Sequence, residues 1–193
     1  VTLAVIEKVD VFRNSVDRDR VSLPLRSPKL FTLGSLYDSN TGLLGSATEE
    51  NFDEKVDLAI RYWDALSNSI PEWRQVRDGD LKPHELRQEF IHSTAVMVWA
   101  FGAMGNTLIS AHPDDWESRL TALRSIDFRR TNREWQGITM TGNDVINRRQ
   151  NRKDTAAFLK LKLGLPLTDS EERSLKGATA VMDDLRRLLK NNV

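Results

Sequence analysis

The sequence contains no cysteine, which excludes disulfides, thiolate zinc sites and cysteine nucleophiles. It has no surplus of either charge, with 28 Lys and Arg against 28 Asp and Glu. The whole molecule therefore has no net attraction for nucleic acid, and any such attraction must come from an uneven distribution. Long apolar runs are missing too. The longest, Ala95 to Met104, is roughly half of the ~20 residues that a bilayer requires, so it reads as a core helix and no membrane partner is expected. No basic-then-apolar leader is visible, which leads to the expectation of a cytoplasmic protein. P-loop, G-x-G-x-x-G, G-x-S-x-G and H-E-x-x-H patterns are all absent, as are internal repeats and low-complexity tracts.

What is present suffices for a folded core. The chain has 193 residues, 39% hydrophobic and 29% charged, enough to bury a substantial interior and too apolar for a disordered segment. The periodicity predicts a mainly α-helical fold: a single multi-helix domain over residues 1–193 with a buried central helix at about 93–109 and one short β-hairpin near 138–146.

Along the chain, Thr2 to Phe12 reads as one amphipathic helix with Leu3, Ile6 and Val9 on one face. Pro24 and Pro28 make Arg20 to Thr32 an irregular crossing. A short helix from Thr32 to about Tyr37 or beyond and a mobile loop over Asn40 to Thr48 follow. Thr48 then caps a helix to about Ser69, with Glu49 and Glu50 in its first turn and Phe52, Val56, Ala59, Ile60, Trp63 and Leu66 inward. Pro71 to Asp80 reads as a loop carrying Trp73, and Pro83 opens another helix with Leu86, Phe90 and Ile91 inward. In the central helix Gly102 and Gly105 suit close packing. His112 to Asp115 starts a helix to about Ser125. A basic connection, Asp127 to Gly137, holds Trp135, and Gly142-Asn143 suits a hairpin turn. A helix from Asn151 to about Leu163 ends ahead of Gly164. Thr168 or Asp169 caps a last helix striped by Leu175, Ala178, Met182, Leu185, Leu188 and Leu189 and ending in Arg186, Arg187 and Lys190.

Charge is segregated along this order. Gly45 to Asp80 holds nine acids against four bases, a net of −5, and Arg124 to Leu163 holds ten bases against four acids, a net of +6. Such a run can be a solvated face or can pair with acids of its own domain. Its arginine content points further, because guanidinium forks match phosphate oxygens bidentately. The candidate DNA-contacting residues are Arg129, Arg130, Arg133, Arg148, Arg149, Arg152 and Lys153. They form two clusters flanking the hairpin, the second leading into a helix N-terminus whose free amides add to phosphate attraction. No helix-turn-helix or zinc finger is recognisable.

Enzymatic signals are weak. Glu89 and His92 form a lone E-x-x-H with Glu85 one turn earlier, and a di-iron centre needs a second such motif. The simpler reading is a helix face with a hydrogen-bonded histidine. His84 and His92 diverge around a helix and make a poor metal pair, His112 reads as a cap residue, and Asp183-Asp184 point to different sides. No catalytic centre, metal or cofactor is predicted. Trp63, Trp99 and Trp116 read as core, and Trp73 and Trp135 as loop anchors rather than base-stacking platforms.

The stretch Ile126-Asp127-Phe128-Arg129-Arg130-Thr131-Asn132-Arg133-Glu134-Trp135-Gln136-Gly137, followed by Leu161-Lys162-Leu163-Gly164-Leu165-Pro166-Leu167-Thr168, resembles the C-terminal part of the DndB family. Val11-Phe12-Arg13, Val16-Asp17, Ser22-Leu23, Arg26-Ser27-Pro28-Lys29-Leu30-Phe31-Thr32 and Glu85-Leu86-Arg87 fit the same pattern in the same order. The D-G-Q-H-R signature of the family's N-terminal region does not occur here, so the expectation is a C-terminal fragment of a longer protein. The resemblance implies a bacterial, nucleoid-associated, DNA-binding negative regulator of the operon for DNA phosphorothioation, which replaces a non-bridging phosphate oxygen by sulfur. The implied partners are double-stranded promoter DNA, other DNA sulfur modification proteins and further copies of the chain. Two alternatives stay open: a protein-interaction or dimerisation domain whose arginines dock on acids, and a metal-dependent enzyme using Glu85, Glu89 and His92.

Overall fold

The computed structural model describes residues 1–46 and 48–178 of the chain. In chain order the elements are α1 (Thr2–Lys8), α2 (Asp10–Arg13), β1 (Val16–Asp17), β2 (Phe31–Thr32), α3 (Leu33–Leu44), α4 (Phe52–Asn68), α5 (Pro71–Asp78), α6 (Pro83–Glu89), α7 (Ala95–Ala111), α8 (Trp116–Arg119), β3 (Met140–Thr141), β4 (Asp144–Val145) and α9 (Arg149–Lys162). The architecture is mainly α, with two small two-stranded sheets among the described residues.

The apolar run predicted to be the spine is α7. It buries Val96, Met97, Val98, Ala100, Phe101, Met104 and Leu108, and α3 and α9 pack along it. Close approach depends on its small residues. A Cβ on Gly102 would collide with the Ser39 backbone carbonyl of α3, and one on Gly105 with the Tyr62 ring of α4. Hydrogen bonds exploit that proximity: the Ser39 hydroxyl donates to the Val98 carbonyl at 2.6 Å and the Tyr62 hydroxyl to the Phe101 carbonyl at 2.5 Å.

Several local expectations are corrected. The first helix breaks at Val9, whose extended backbone (φ −91°, ψ 117°) separates α1 from α2, and Leu3 is exposed. The break lets both pieces bury residues, Val5 and Ile6 on one and Val11 and Phe12 on the other. The crossing from Arg20 ends in paired backbone, since Val16 lies beside Phe31 and Asp17 beside Thr32 in a parallel register. Where a short helix and a mobile loop were expected, α3 runs to Leu44. Thr32 caps it by accepting from the Ser35 amide, and Leu36, Ser39, Asn40 and Leu43 form its buried stripe. That stripe is half polar, which hides it from a hydrophobicity reading.

Helix α4 starts at Phe52, so Asp53 and Glu54, not Glu49 and Glu50, occupy its first turn. Thr48 does not cap it; the Thr48 amide instead donates to the Asn51 side chain. Phe52 is exposed, Val56 and Ile60 are half-buried, and Tyr62 takes an inward place beside Ala59, Trp63 and Leu66. Pro71 begins a helix rather than introducing a loop, because proline is tolerated in a first turn where no amide partner is needed. Trp73 on that helix is fully buried. The helix expected through Ser125 is only four residues of α8 followed by a 3-10 stretch, Leu120–Ser125.

The hairpin forms as expected, with Met140 opposite Val145 and Gly142 at φ +59°, a left-handed turn conformation that glycine adopts without strain. Residues 169–178 are helical. Thr168 caps them reciprocally with Glu171: its hydroxyl accepts from the Glu171 amide, and the Glu171 carboxylate accepts from the Thr168 amide. Leu175 is buried there. Met182, Leu185, Leu188, Leu189, the terminal basic residues and Asp183-Asp184 lie outside the described residues.

Candidate nucleic-acid interface

The basic connection after the 3-10 stretch is held from beneath. The Phe128 carbonyl accepts from the Ile91 amide and the Glu89 carbonyl from the Arg130 amide, fastening the strip to the end of α6. Trp135 anchors its far end, fully buried, donating to the Asp127 carbonyl at 2.8 Å and stacking near-parallel on Phe128 at 5.7 Å. With Trp73 also buried, both tryptophans act as anchors and neither offers a face to a base.

Within this strip the three predicted arginines differ. Arg129 is exposed but engaged, lying 3.5 Å from both Glu89 and Asp127 and over the Phe90 ring. Arg130 is half-buried, and its Nε and an Nη both donate to the Arg87 carbonyl. Burial pulls its pKa down, against a smaller opposing pull from Asp144. Arg133 is exposed with no charged partner among the described residues.

The second cluster sits at the start of α9. Arg148 is the cap residue and Arg149 the first helical residue, and no acid occupies the first turn. Arg148, Arg149 and Lys153 are exposed and unpaired among the described residues. Arg152 is tethered, donating to Asn147 at 2.7 Å and to Asp38 at 3.3 Å. Among the described residues no ion pair joins any of the seven predicted cations to the acidic stretch from Glu49 to Asp64, whose Arg61 pairs instead with Glu117.

Two adjoining clefts, of about 1110 and 430 Å³, gather part of this chemistry. Arg152 lines the larger and Arg130 the smaller, and Asn147 lines both. The structure adds cations that charge counting missed. Arg18 and Arg20 line the larger cleft and Arg87 the smaller, brought there by the β1–β2 pairing and by α6. Arg87 stands within Glu85-Leu86-Arg87, a segment that carried the family resemblance, but it lies far in sequence from the basic run.

The E-x-x-H pattern is dismantled by the fold. Helix α6 ends at Glu89 and Phe90 is extended, so His92 is not on the helix. Glu85 accepts from the Lys82 amide as a capping group, Glu89 faces Arg129, and buried His92 accepts from the Trp73 indole. His112 closes α7, its amide bonded to the Leu108 carbonyl. Among the described residues no three His, Asp or Glu side chains gather as a metal site, and no helix is long and apolar enough to cross a membrane.

A family model described as DndB, DNA-sulfur modification-associated, matches residues 1–166. The chain belongs to the DndB family. Membership ties the chain to DNA sulfur modification. The matched stretch contains all seven predicted cations and both clefts. No curated protein and no solved structure matches the chain.

Proposed function

We propose that this chain is a DNA-binding negative transcriptional regulator of a bacterial DNA phosphorothioation operon, with no catalytic centre in the stretch described. It contacts promoter duplex through Arg133, Arg148, Arg149, Arg152 and Lys153, with Arg129 and Arg130 at the margin. One observation carries the reading: Arg148 and Arg149 stand at the positive pole of α9 with no acid in its first turn and no ion-pair partner among the described residues, and Arg152, paired with Asp38, lies one turn on. A cation there works against the helix dipole by about 0.3–1 kcal/mol, so the placement does not serve stability. An anion brought to that pole would meet guanidinium groups and free amides together.

The test is binding to the operon's own promoter and to unrelated duplex across a salt series, beside an Arg148→Ala/Arg149→Ala/Arg152→Ala variant. Three lost phosphate contacts lower the slope of log affinity against log salt by about 2 to 3. Promoter-selective binding weakened by the variant supports the reading. No binding by the intact chain at low salt would sink it and leave a protein-interaction or dimerisation domain, facing another sulfur modification protein or a second copy, as the better account.

A further inference from the structure

The smaller cleft lies between the 21–31 loop, α6 and the start of α7. Arg87, Arg130 and His84 line it, and no carboxylate does among the described residues. One Arg87 Nη donates to the carbonyls of Pro24, Leu25 and Ser27, while its buried Nε has no acceptor among the described residues. Arg130 is satisfied only in part, by the Arg87 carbonyl. Every one of these acceptors is neutral. Two half-buried guanidinium groups therefore line one cleft with no carboxylate in ion-pair contact with either among the described residues, Asp144 acting on Arg130 only from farther off, an arrangement that burial penalises unless an anion completes it.

Two further observations point to the same ligand. Ser93 is only 5% exposed, lines the cleft and leaves its hydroxyl without a partner among the described residues. Beside it begins α7, a helix of 17 residues. The Thr94 hydroxyl turns back to the Ile91 carbonyl at 2.6 Å and so does not cap the helix. The amides of Ala95, Val96 and Met97 have no acceptor among the described residues. An uncapped positive helix end, an idle buried hydroxyl and two arginines without a carboxylate in contact among the described residues border one recess.

We infer that this cleft is a phosphate site, taking inorganic phosphate or the terminal phosphate of a small molecule such as a nucleotide. A phosphomonoester brings up to two negative charges and three acceptor oxygens, matching paired guanidinium groups and helix amides. A duplex presents its phosphates on a convex surface, which the exposed Arg148 and Arg149 suit better than a recess does. Neither of those residues lines the cleft, so the site stands whether or not the DNA reading holds.

The experiment is calorimetric titration of the full chain with inorganic phosphate and with AMP, at fixed ionic strength in chloride. The variants are Ser93→Ala, Arg130→Gln and Arg148→Ala/Arg149→Ala. Saturable binding is expected, weakened about tenfold by Arg130→Gln and severalfold by Ser93→Ala, and unchanged in the double variant. Tighter AMP identifies an organic phosphate and tighter inorganic phosphate the free ion; either supports the site. Ser93→Ala removes only an unpartnered oxygen, so it remains informative if Arg130→Gln fails to fold. Absence of saturable heat with both probes at millimolar concentration overturns the proposal. So does equal loss in the Arg148→Ala/Arg149→Ala variant, which would put the anion on the exposed surface, or displacement of phosphate by a 5′-hydroxyl duplex, which would assign the cleft to a DNA backbone phosphate.

Discussion

The indole Nε1 of Trp73 donates to Nδ1 of His92 at 2.9 Å, with both side chains fully buried. The bond requires a lone pair on Nδ1, so the ring is neutral and its proton sits on Nε2. That nitrogen faces Glu72 Oε2 at 3.5 Å. Burial holds the histidine's pKa below its ordinary 6.5, and Glu72 opposes the shift without cancelling it.

A pH dependence follows. In the unfolded chain His92 titrates near 6.5, and in the folded chain lower. Between the two values the unfolded state binds more protons, so stability is complete only well above 6.5 and falls as the pH drops through it. The slope reaches at most about 1.4 kcal/mol per pH unit. The His92 Nε2–H that faces it lowers the Glu72 pKa below 4.5, so Glu72 adds a loss only at more acidic pH. Urea unfolding should show the wild-type free energy declining from pH roughly 7.5 to 5.5, with a flatter profile in His92→Gln. Identical slopes would assign the decline elsewhere.

Asn40 is the polar hinge of the core. Its Oδ1 accepts from Trp63 Nε1 at 2.7 Å and its Nδ2 donates to Thr2 at 3.0 Å, joining α4, α3 and α1. Asn40→Ala strands the indole N–H in the interior, which costs about 1–3 kcal/mol. Adding Trp63→Phe removes the stranded donor, so the combined loss should be smaller than the sum of the single losses. Strict additivity in thermal unfolding would show that the bond contributes nothing.

At the start of α9, stability and the proposed function pull in opposite directions. Arg149→Glu replaces an unpaired cation at the positive helix pole by an acid, and should raise stability by about 0.3–1 kcal/mol. The same change should weaken duplex binding at low salt. A melting temperature that falls in Arg149→Glu would mean that Arg149 has a structural partner and would remove the argument drawn from its placement.

Much of this was legible in the chain because burial and periodicity speak together. The run around Met97 and Phe101 is apolar on every side, so it could only be a buried helix, and Gly142-Asn143 suited a left-handed turn wherever its strands were placed. Helix α3 was not legible, since Ser39 and Asn40 earn their interior places through partners 59 and 23 residues away. Pro71 misled for a related reason: the same residue can end one helix or open the next, and the buried Trp73 decides between them.

The sequence alone determined the helical class, the central helix, the segregation of charge and the family, because each is a property of local spacing and composition. Tertiary structure decided which cations are free. Arg130 turns inward to a backbone carbonyl and Arg152 meets an aspartate 114 residues away, while Arg148 and Arg149 stay unpaired among the described residues. It also brought Arg87 and Ser93 together with Arg130. At the surface, water and salt screen a charge beyond about 8–10 Å, and what lies within that reach is set by packing rather than by position along the chain.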